Sequence, residues 1–326
     1  MRSSTINKYS HVLVTGGAGY IGSHLACRLA ATGRNVTVLD NLQSGRVENI
    51  TRCLDTGRFK LIKGDICDKR AVEDAMNGVD AVLHLAALID VDKSVINPLE
   101  THHVNVNGSL TVLDEAVKQG VEKFLLASSA SVYGEENSLP LRENYAVKPI
   151  SPYAASKAAA ENYCEAFHRS YGLPTVILRY FNVYGPKSEC NSYSGVITKF
   201  VNNALSHKPI VVFGDGEQTR DFIYIKDVVN ATVLALESDS AIGEVLNVCT
   251  GRPTSVNTLV QNLKGILVSE SQVINDAPRK GDIFANYGDP TKTKKIIGFE
   301  AETSLIEGLK KVITFKRNEL DSVSVE

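Results

Sequence analysis

Two apolar rhythms alternate through the first 180 residues. Short β-rich runs recur at "HVLVTGG" (His11 to Gly17), "NVTVLD" ending at Asp40, "FKLIKGD" ending at Asp65, "DAVLHLAA" from Asp80, "VEKFLLASS", and "PTVILRY" from Pro174. Between them lie stretches with helical spacing: "GYIGSHLACRLAATG" ending at Gly33, "KRAVEDAMNG", a long segment from about Pro98 to Gln119, and an alanine-rich segment from Tyr153 onward. Strands that are apolar at every position have no solvent-facing side, so helices must cover both faces of their sheet. The pattern predicts a doubly wound α/β fold with a parallel sheet.

After Phe181 the rhythm breaks. Glycine and polar residues cluster in "NVYGPKSECNSYSG", a strand-like "PIVVFGDG" follows, and shorter mixed elements continue to the end. This predicts a first domain over residues 1–180, rejoined by segments from about 223–250, and a smaller discontinuous α/β lobe over 181–326. The last residues, "NELDSVSVE", read as a solvated tail.

Composition narrows the partners. The 326 residues carry a net charge of −2 with lysines and arginines scattered, so neither nucleic acid nor an anionic membrane is the expected partner. No apolar stretch approaches the roughly 18 residues needed to span a bilayer, and no apolar leader precedes the first strand; a cytosolic protein is expected. Cys27, Cys53, Cys67, Cys164, Cys190 and Cys249 form neither CxxC nor a metal-ligand spacing with histidine. Reduced buried thiols are the expectation, with no metal.

The first chemical feature is "TGGAGYIG", which sets Gly16, Gly19 and Gly22 between a strand and a helix. Glycine is required where backbone turns tightly and approaches a pyrophosphate, and the helix start behind it offers free N–H groups and partial positive charge. Asp40 closes the next strand 18 residues after Gly22, near the ~20 expected of a carboxylate that binds ribose hydroxyls. That carboxylate would repel a 2′-phosphate, so NAD is favoured over NADP. Tyr20, Ile21, Asn41, Asp65, Ile66, Leu85, Ala86 and Ala87 sit in the same loop or at the carboxyl ends of strands, where ligands of open α/β sheets lie.

The second feature is "SPYAASK". Tyr153 and Lys157 are four apart on a helix and share a face. A phenol of ordinary pKa about 10 is a poor base at neutral pH, and a nearby ammonium favours its ionised form. Ser128, Ser129 and Ser131, at the end of the strand "VEKFLLASSASVYG", offer a hydroxyl to complete the set, and strand alternation forbids all three pointing one way.

Together the glycine loop, a serine after the fifth strand and YxxxK resemble the extended short-chain dehydrogenase/reductase superfamily over nearly the whole chain. "RYFNVYGP" (Arg179 to Pro186), "GDGEQTRDFIYIKDVV" (Gly214 to Val229) and "APRKGDI" (Ala277 to Ile283) are similar to its nucleotide-sugar 4-epimerases of the UDP-glucose/UDP-galactose and UDP-N-acetylhexosamine group. The resemblance implies a Rossmann domain holding NAD, with Ser129, Tyr153 and Lys157 catalytic, and Ser128 structural. It implies Phe181 packed by the nicotinamide, Asn182 on the substrate diphosphate, Arg220 and Arg279 clamping that group, and Asp282 on a uridine ribose hydroxyl. It also implies a homodimer paired through helices near 98–119 and 151–171.

Dehydratases and decarboxylases of the superfamily carry an acid just after the catalytic serine or threonine, where this chain has Ala130 and Ser131. Uronate epimerases show an FFTVYGPWGRPD-like run where it has "YFNVYGPKSECN". A neutral hexose is the implied substrate, inverted at C4 through a 4-keto sugar. Where many galactose epimerases have a lysine in HFAGLKAV, this chain has Ile89, followed by Asp90 and Asp92. Four residues after Asp282, where enzymes restricted to glucose and galactose often have tyrosine, stands Asn286, leaving volume for a 2-acetamido group. A uronate 4-epimerase, a decarboxylase, or a non-catalytic NAD or nucleotide-sugar sensor are the alternatives.

Overall fold

The computed structural model describes residues 8–54, 57–135, 138–188, 195–278 and 283–323. The chain runs β1 (His11–Thr15), α1 (Tyr20–Ala31), β2 (Asn35–Asp40), α2 (Thr51–Leu54), β3 (Phe59–Lys63), α3 (Lys69–Met76), β4 (Ala81–His84), α4 (Val91–Ile96), α5 (Pro98–His102), α6 (Ser109–Lys118), β5 (Lys123–Ser129), α7 (Pro152–Tyr171) and β6 (Thr175–Tyr180). It continues with β7 (Asn182–Tyr184), α8 (Val196–Leu205), β8 (Ile210–Phe213), β9 (Thr219–Tyr224), α9 (Ile225–Glu237), β10 (Val245–Val248), β11 (Pro253–Ser255), α10 (Val256–Leu267), β12 (Val273–Asp276), β13 (Ala285–Asn286), α11 (Thr291–Ile297) and α12 (Leu305–Val323).

The fold is α/β and Rossmann-like. Seven strands form one sheet in the order β10-β6-β5-β4-β1-β2-β3, every pairing parallel. The order reverses between β1 and β4, which opens a crevice at their carboxyl ends. Alternate residues of β1 show why the strands read as continuous apolar runs. Val12 and Val14 pack with Leu25 and Leu29 of α1 and Val228 and Ala231 of α9, while Leu13 packs on the opposite face with Val72 of α3, Leu113 of α6 and Cys164 of α7. At about 25 cal/mol per Å² of apolar surface removed from water, these two layers dominate the stability of this sheet.

A second, four-stranded sheet centres on β9, which pairs antiparallel with β11 and parallel with β7 and β13; β8 and β12 form a parallel pair beside it. Asp221 of β9, fully buried, joins the sheets: its carboxylate accepts from Thr250 N at 2.9 Å, Thr250 Oγ1 at 2.7 Å and Gly251 N at 2.8 Å, just beyond β10.

Three expectations are corrected. Cys27 of α1 and Cys53 of α2 are joined in a disulfide, their Cα atoms 5.5 Å apart, although their separation of 26 residues matches no short cysteine motif; helix packing brings them together. Cys67, Cys164 and Cys249 are free thiols, and Cys190 lies outside the described residues. The segment read as a tail is helical through Val323, because α12 keeps its backbone hydrogen bonded while exposing residues 317–321. The long helix from Pro98 is widened by a π-type turn over His103–Gly108, where a Cβ on Gly108 would lie 2.6 Å from the Ile66 side chain.

Candidate active site

The glycine turn between β1 and α1 is built for close approach. Gly16 takes φ +67°, and a Cβ there would lie 2.8 Å from Ala86 N; a Cβ on Gly22 would lie 2.1 Å from Gly16 O. Helix α1 can therefore start directly against the turn. Asp40 ties the next strand to it, accepting from Ala18 N and Leu42 N, both at 2.9 Å.

The 20-residue α7 is bounded as its sequence dictates. Ser151 caps the start by accepting from Ala154 N at 3.1 Å, Pro152 occupies the first turn, and Gly172 ends the helix at φ +71°. Ser94 Oγ accepts from Tyr153 N at 3.1 Å. Asn105 in the π-type turn donates to Ser156 Oγ at 2.8 Å and to Leu88 O at 2.9 Å, and accepts from Leu88 N at 2.7 Å. These bonds lock the start of α7 to the loop after β4.

One cavity of about 460 Å³ spans both features. Gly16, Gly19, Tyr20, Ile21, Gly22, Asp40 and Asn41 line it, together with Ile66, Leu85, Ala86 and Ala87. Ser129, Tyr153, Lys157, Phe181 and Asn182 line the same cavity. Asp65 does not line it: its carboxylate accepts from Asn41 Nδ2 and Cys67 N, both at 2.8 Å, and so fixes Asn41. Those bonds outweigh its burial and hold it below the usual carboxylate range. Arg220 and Asn286 face each other across β9 and β13, outside the cavity wall, with the arginine donating to Thr219 O at 2.8 Å. Arg279 and Asp282 lie outside the described residues.

Burial sets the electrostatics. It pushes the Tyr153 phenol above its ordinary value, with a hydrogen bond to Ser129 pulling the other way. Burial also lowers the Lys157 ammonium to about 8, opposed by Glu161. The expected depression of the phenol by the lysine is thus overturned: loss of water around the ring dominates. Ser128 donates to Glu161 instead of facing Tyr153.

Sequence reasoning missed Gln43, Ser44, Leu88, Val104, Ser188 and Thr198, all of which line the cavity. It also missed buried His84, whose ring nitrogens meet Thr15 Oγ1 at 2.7 Å and Ser109 Oγ at 2.9 Å. The only sequence signal for His84 was its place at the carboxyl end of an apolar strand. Among the described residues no cluster of histidine, cysteine, aspartate or glutamate is arranged to hold a metal ion, and no helix is long and apolar enough to cross a membrane.

A seven-stranded parallel sheet, a glycine turn at its switch point and a carboxylate closing β2 define a dinucleotide-binding protein. Residues 12–249 match the family model described as the NAD dependent epimerase/dehydratase family, and the chain belongs to that family, whose cofactor is NAD. The chain is 40% identical to a UDP-glucose 4-epimerase of Thermotoga maritima solved with UDP-glucose, covering 95% of this chain and 99% of that one at a TM-score of 0.91. It is 37% identical to a UDP-N-acetylglucosamine 4-epimerase of Methanobrevibacter ruminantium in complex with UDP-N-acetylmuramic acid, covering 95% and 99% at a TM-score of 0.91. A UDP-N-acetyl-alpha-D-glucosaminuronate decarboxylase of Bacillus cytotoxicus is 34% identical, over 94% of this chain and 97% of its own.

Proposed function

We propose that this chain inverts C4 of a UDP-hexose, interconverting UDP-glucose with UDP-galactose. The observation that carries the reading is that Ser129, Tyr153 and Lys157 line the same cavity as the glycine turn, with Tyr153 hydrogen bonded to Ser129. The residues suit NAD: the turn excludes side chains where Gly16 and Gly22 stand, and the Asp40 carboxylate reaches the same cavity. Gly16, Gly19, Tyr20, Ile21, Gly22, Asp40, Asn41, Ile66, Leu85, Ala86, Ala87 and Phe181 would hold it, Asp65 acting through Asn41. When bound, NAD supplies a hydride acceptor that returns what it takes.

The ionised form of Tyr153 takes the proton from the sugar 4-hydroxyl and becomes the neutral phenol, Ser129 favours that ionised form by its hydrogen bond and holds the hydroxyl beside it, and Lys157 supplies positive charge on the same helix face. The 4-keto sugar turns over while its nucleotide stays anchored, and Tyr153 returns the proton to the inverted hydroxyl. Asn182 is the proposed diphosphate contact in the cavity. Arg220 and Arg279 are the proposed clamp from the smaller lobe, with Asp282 on the uridine ribose.

Ala130 and Ser131 supply no second acid after Ser129, which argues against elimination or decarboxylation. The substrate range includes 2-acetamido sugars. The likeness to the M. ruminantium enzyme supports this, whereas Asn286, outside the cavity wall, does not set the volume there. A second copy pairs along α5, α6 and α7, where Leu99 and Tyr171 are 81% and 63% exposed.

Incubating the protein with UDP-glucose, UDP-N-acetylglucosamine and UDP-glucuronate, with products identified by NMR and mass, tests the reading. C4 epimers of the first two are expected. Carbon dioxide from the third, or no product from UDP-glucose, would overturn it.

A further inference from the structure

Beneath the cavity, on the turn of α7 after Lys157, Glu161 is buried and satisfied on every side. Arg179 of β6 binds it in a fork, Nε to Oε1 at 3.0 Å and Nη2 to Oε2 at 2.7 Å, and Ser128 of β5 donates to Oε1. The guanidinium is itself held, 4.6 Å over the Tyr133 ring, whose hydroxyl donates to Asn247 at 2.6 Å. A buried ion pair is weak evidence for stability, since apolar groups of similar volume often replace one at no loss. Its placement is what matters. Lys157 and Glu161 are four residues apart on one helix face, and Ser128 immediately precedes the Ser129 that lines the cavity.

We propose that Glu161 is a positioning residue for the reaction: it keeps the buried Lys157 ammonium charged and aimed, and through Ser128 it fixes the strand end that presents Ser129. The inference rests on the epimerase reading for its catalytic consequence, but the state of Lys157 is measurable without turnover.

Lys157 and Arg179 are two buried cations, and Glu161 bonds the second while standing four residues from the first on the same helix face. From α7, Tyr153, Glu161 and Cys164 face the lysine; from β4, His84 does. Burial first and the lysine second push His84 down to about 3, so it stays neutral and adds no charge. The Cys164 thiol is pushed up and stays neutral too. Glu161 is therefore the anion that opposes the desolvation of Lys157.

The test follows the Lys157 Nζ titration by NMR in protein carrying ¹⁵N-lysine, together with the pH profile of turnover. In Glu161→Gln the lysine should lose its proton at least tenfold more readily, a shift of about one pH unit, and the alkaline arm of kcat should move the same way. Glu161→Asp should restore part of both. Because Glu161→Gln leaves Arg179 buried without its anion and can fail to fold, the double variant Glu161→Gln/Arg179→Gln is measured alongside. Because Arg179→Gln by itself removes a cation and favours the protonated lysine, the double variant is read against Arg179→Gln. A shift of the same sign relative to that single variant supports the proposal, and identical Lys157 titrations in the two would overturn it, showing that Glu161 serves Arg179 alone. Should the wild type leave UDP-glucose unchanged, the epimerase reading fails while the titration still decides the role of Glu161.

Discussion

The Asp40 carboxylate reaches back across the crevice to the amide of Ala18, 2.9 Å away, so the residue that closes β2 also braces the turn that follows β1. One side chain thereby couples the wall for a ribose to the cradle for a pyrophosphate. Replacing Asp40 with alanine should weaken NAD binding about ten- to a hundredfold, the range expected when a charge-assisted hydrogen bond of about 1.5–3 kcal/mol is lost. Fluorescence titration with NADH measures it, and unchanged affinity would remove Asp40 from the site.

Tyr153→Phe keeps the ring and deletes the acid–base group. Turnover should fall by at least about a hundredfold, the lower range for general acid–base catalysis, with NAD retained on the purified protein. More than a few per cent of residual activity would assign the proton transfer elsewhere.

Lys157 links pH to stability. Its folded value, about 8, lies below its ordinary 10.5, so between those two pH values the unfolded chain binds more protons and stability rises with pH. Below about 8 both states are protonated and the cost of burying the charge is fully present. Comparing chemical denaturation of the wild type with Lys157→Met from pH 7 to 10.5, the difference should move toward the wild type by a few kcal/mol. A constant difference would mean that the lysine is not desolvated.

Cys27 and Cys53 close a loop that includes the cavity-lining Asn41, Gln43 and Ser44. Reduction, or Cys27→Ser, should lower the unfolding free energy by about 2–4 kcal/mol, the usual worth of such a crosslink. Thermal melts with and without dithiothreitol, paired with thiol titration of the denatured protein, would show it. Identical melts would contradict a contribution of this size.

Asp221→Ala should cost about 3 kcal/mol, because the donors at Thr250 and Gly251 lose their buried acceptor. Gly288 packs against Phe181 in the same region, where a Cβ would lie 2.6 Å from the ring. KM for the nucleotide sugar should rise in this variant with the loosened junction between the sheets. Wild-type stability would dismiss Asp221 as the junction.

The doubly wound sheet and the cradle residues were legible because both are local. Continuously apolar strands, helical stretches between them, and glycine at Gly16, Gly19 and Gly22 are dictated by backbone sterics and by burial on both faces. The YxxxK spacing likewise puts Tyr153 and Lys157 on one helix face with no tertiary information.

Other features depend on segments distant in sequence. The Cys27–Cys53 crosslink arises where α2 meets α1, and the Glu161–Arg179 pair joins a helix to a strand. The direction of the Tyr153 shift depends on how completely neighbouring elements strip water from the ring, which spacing along the chain does not encode. Local chemistry named the groups that could react; tertiary packing decided which of them are dry, paired or crosslinked, because desolvation and contact are properties of the assembled neighbours.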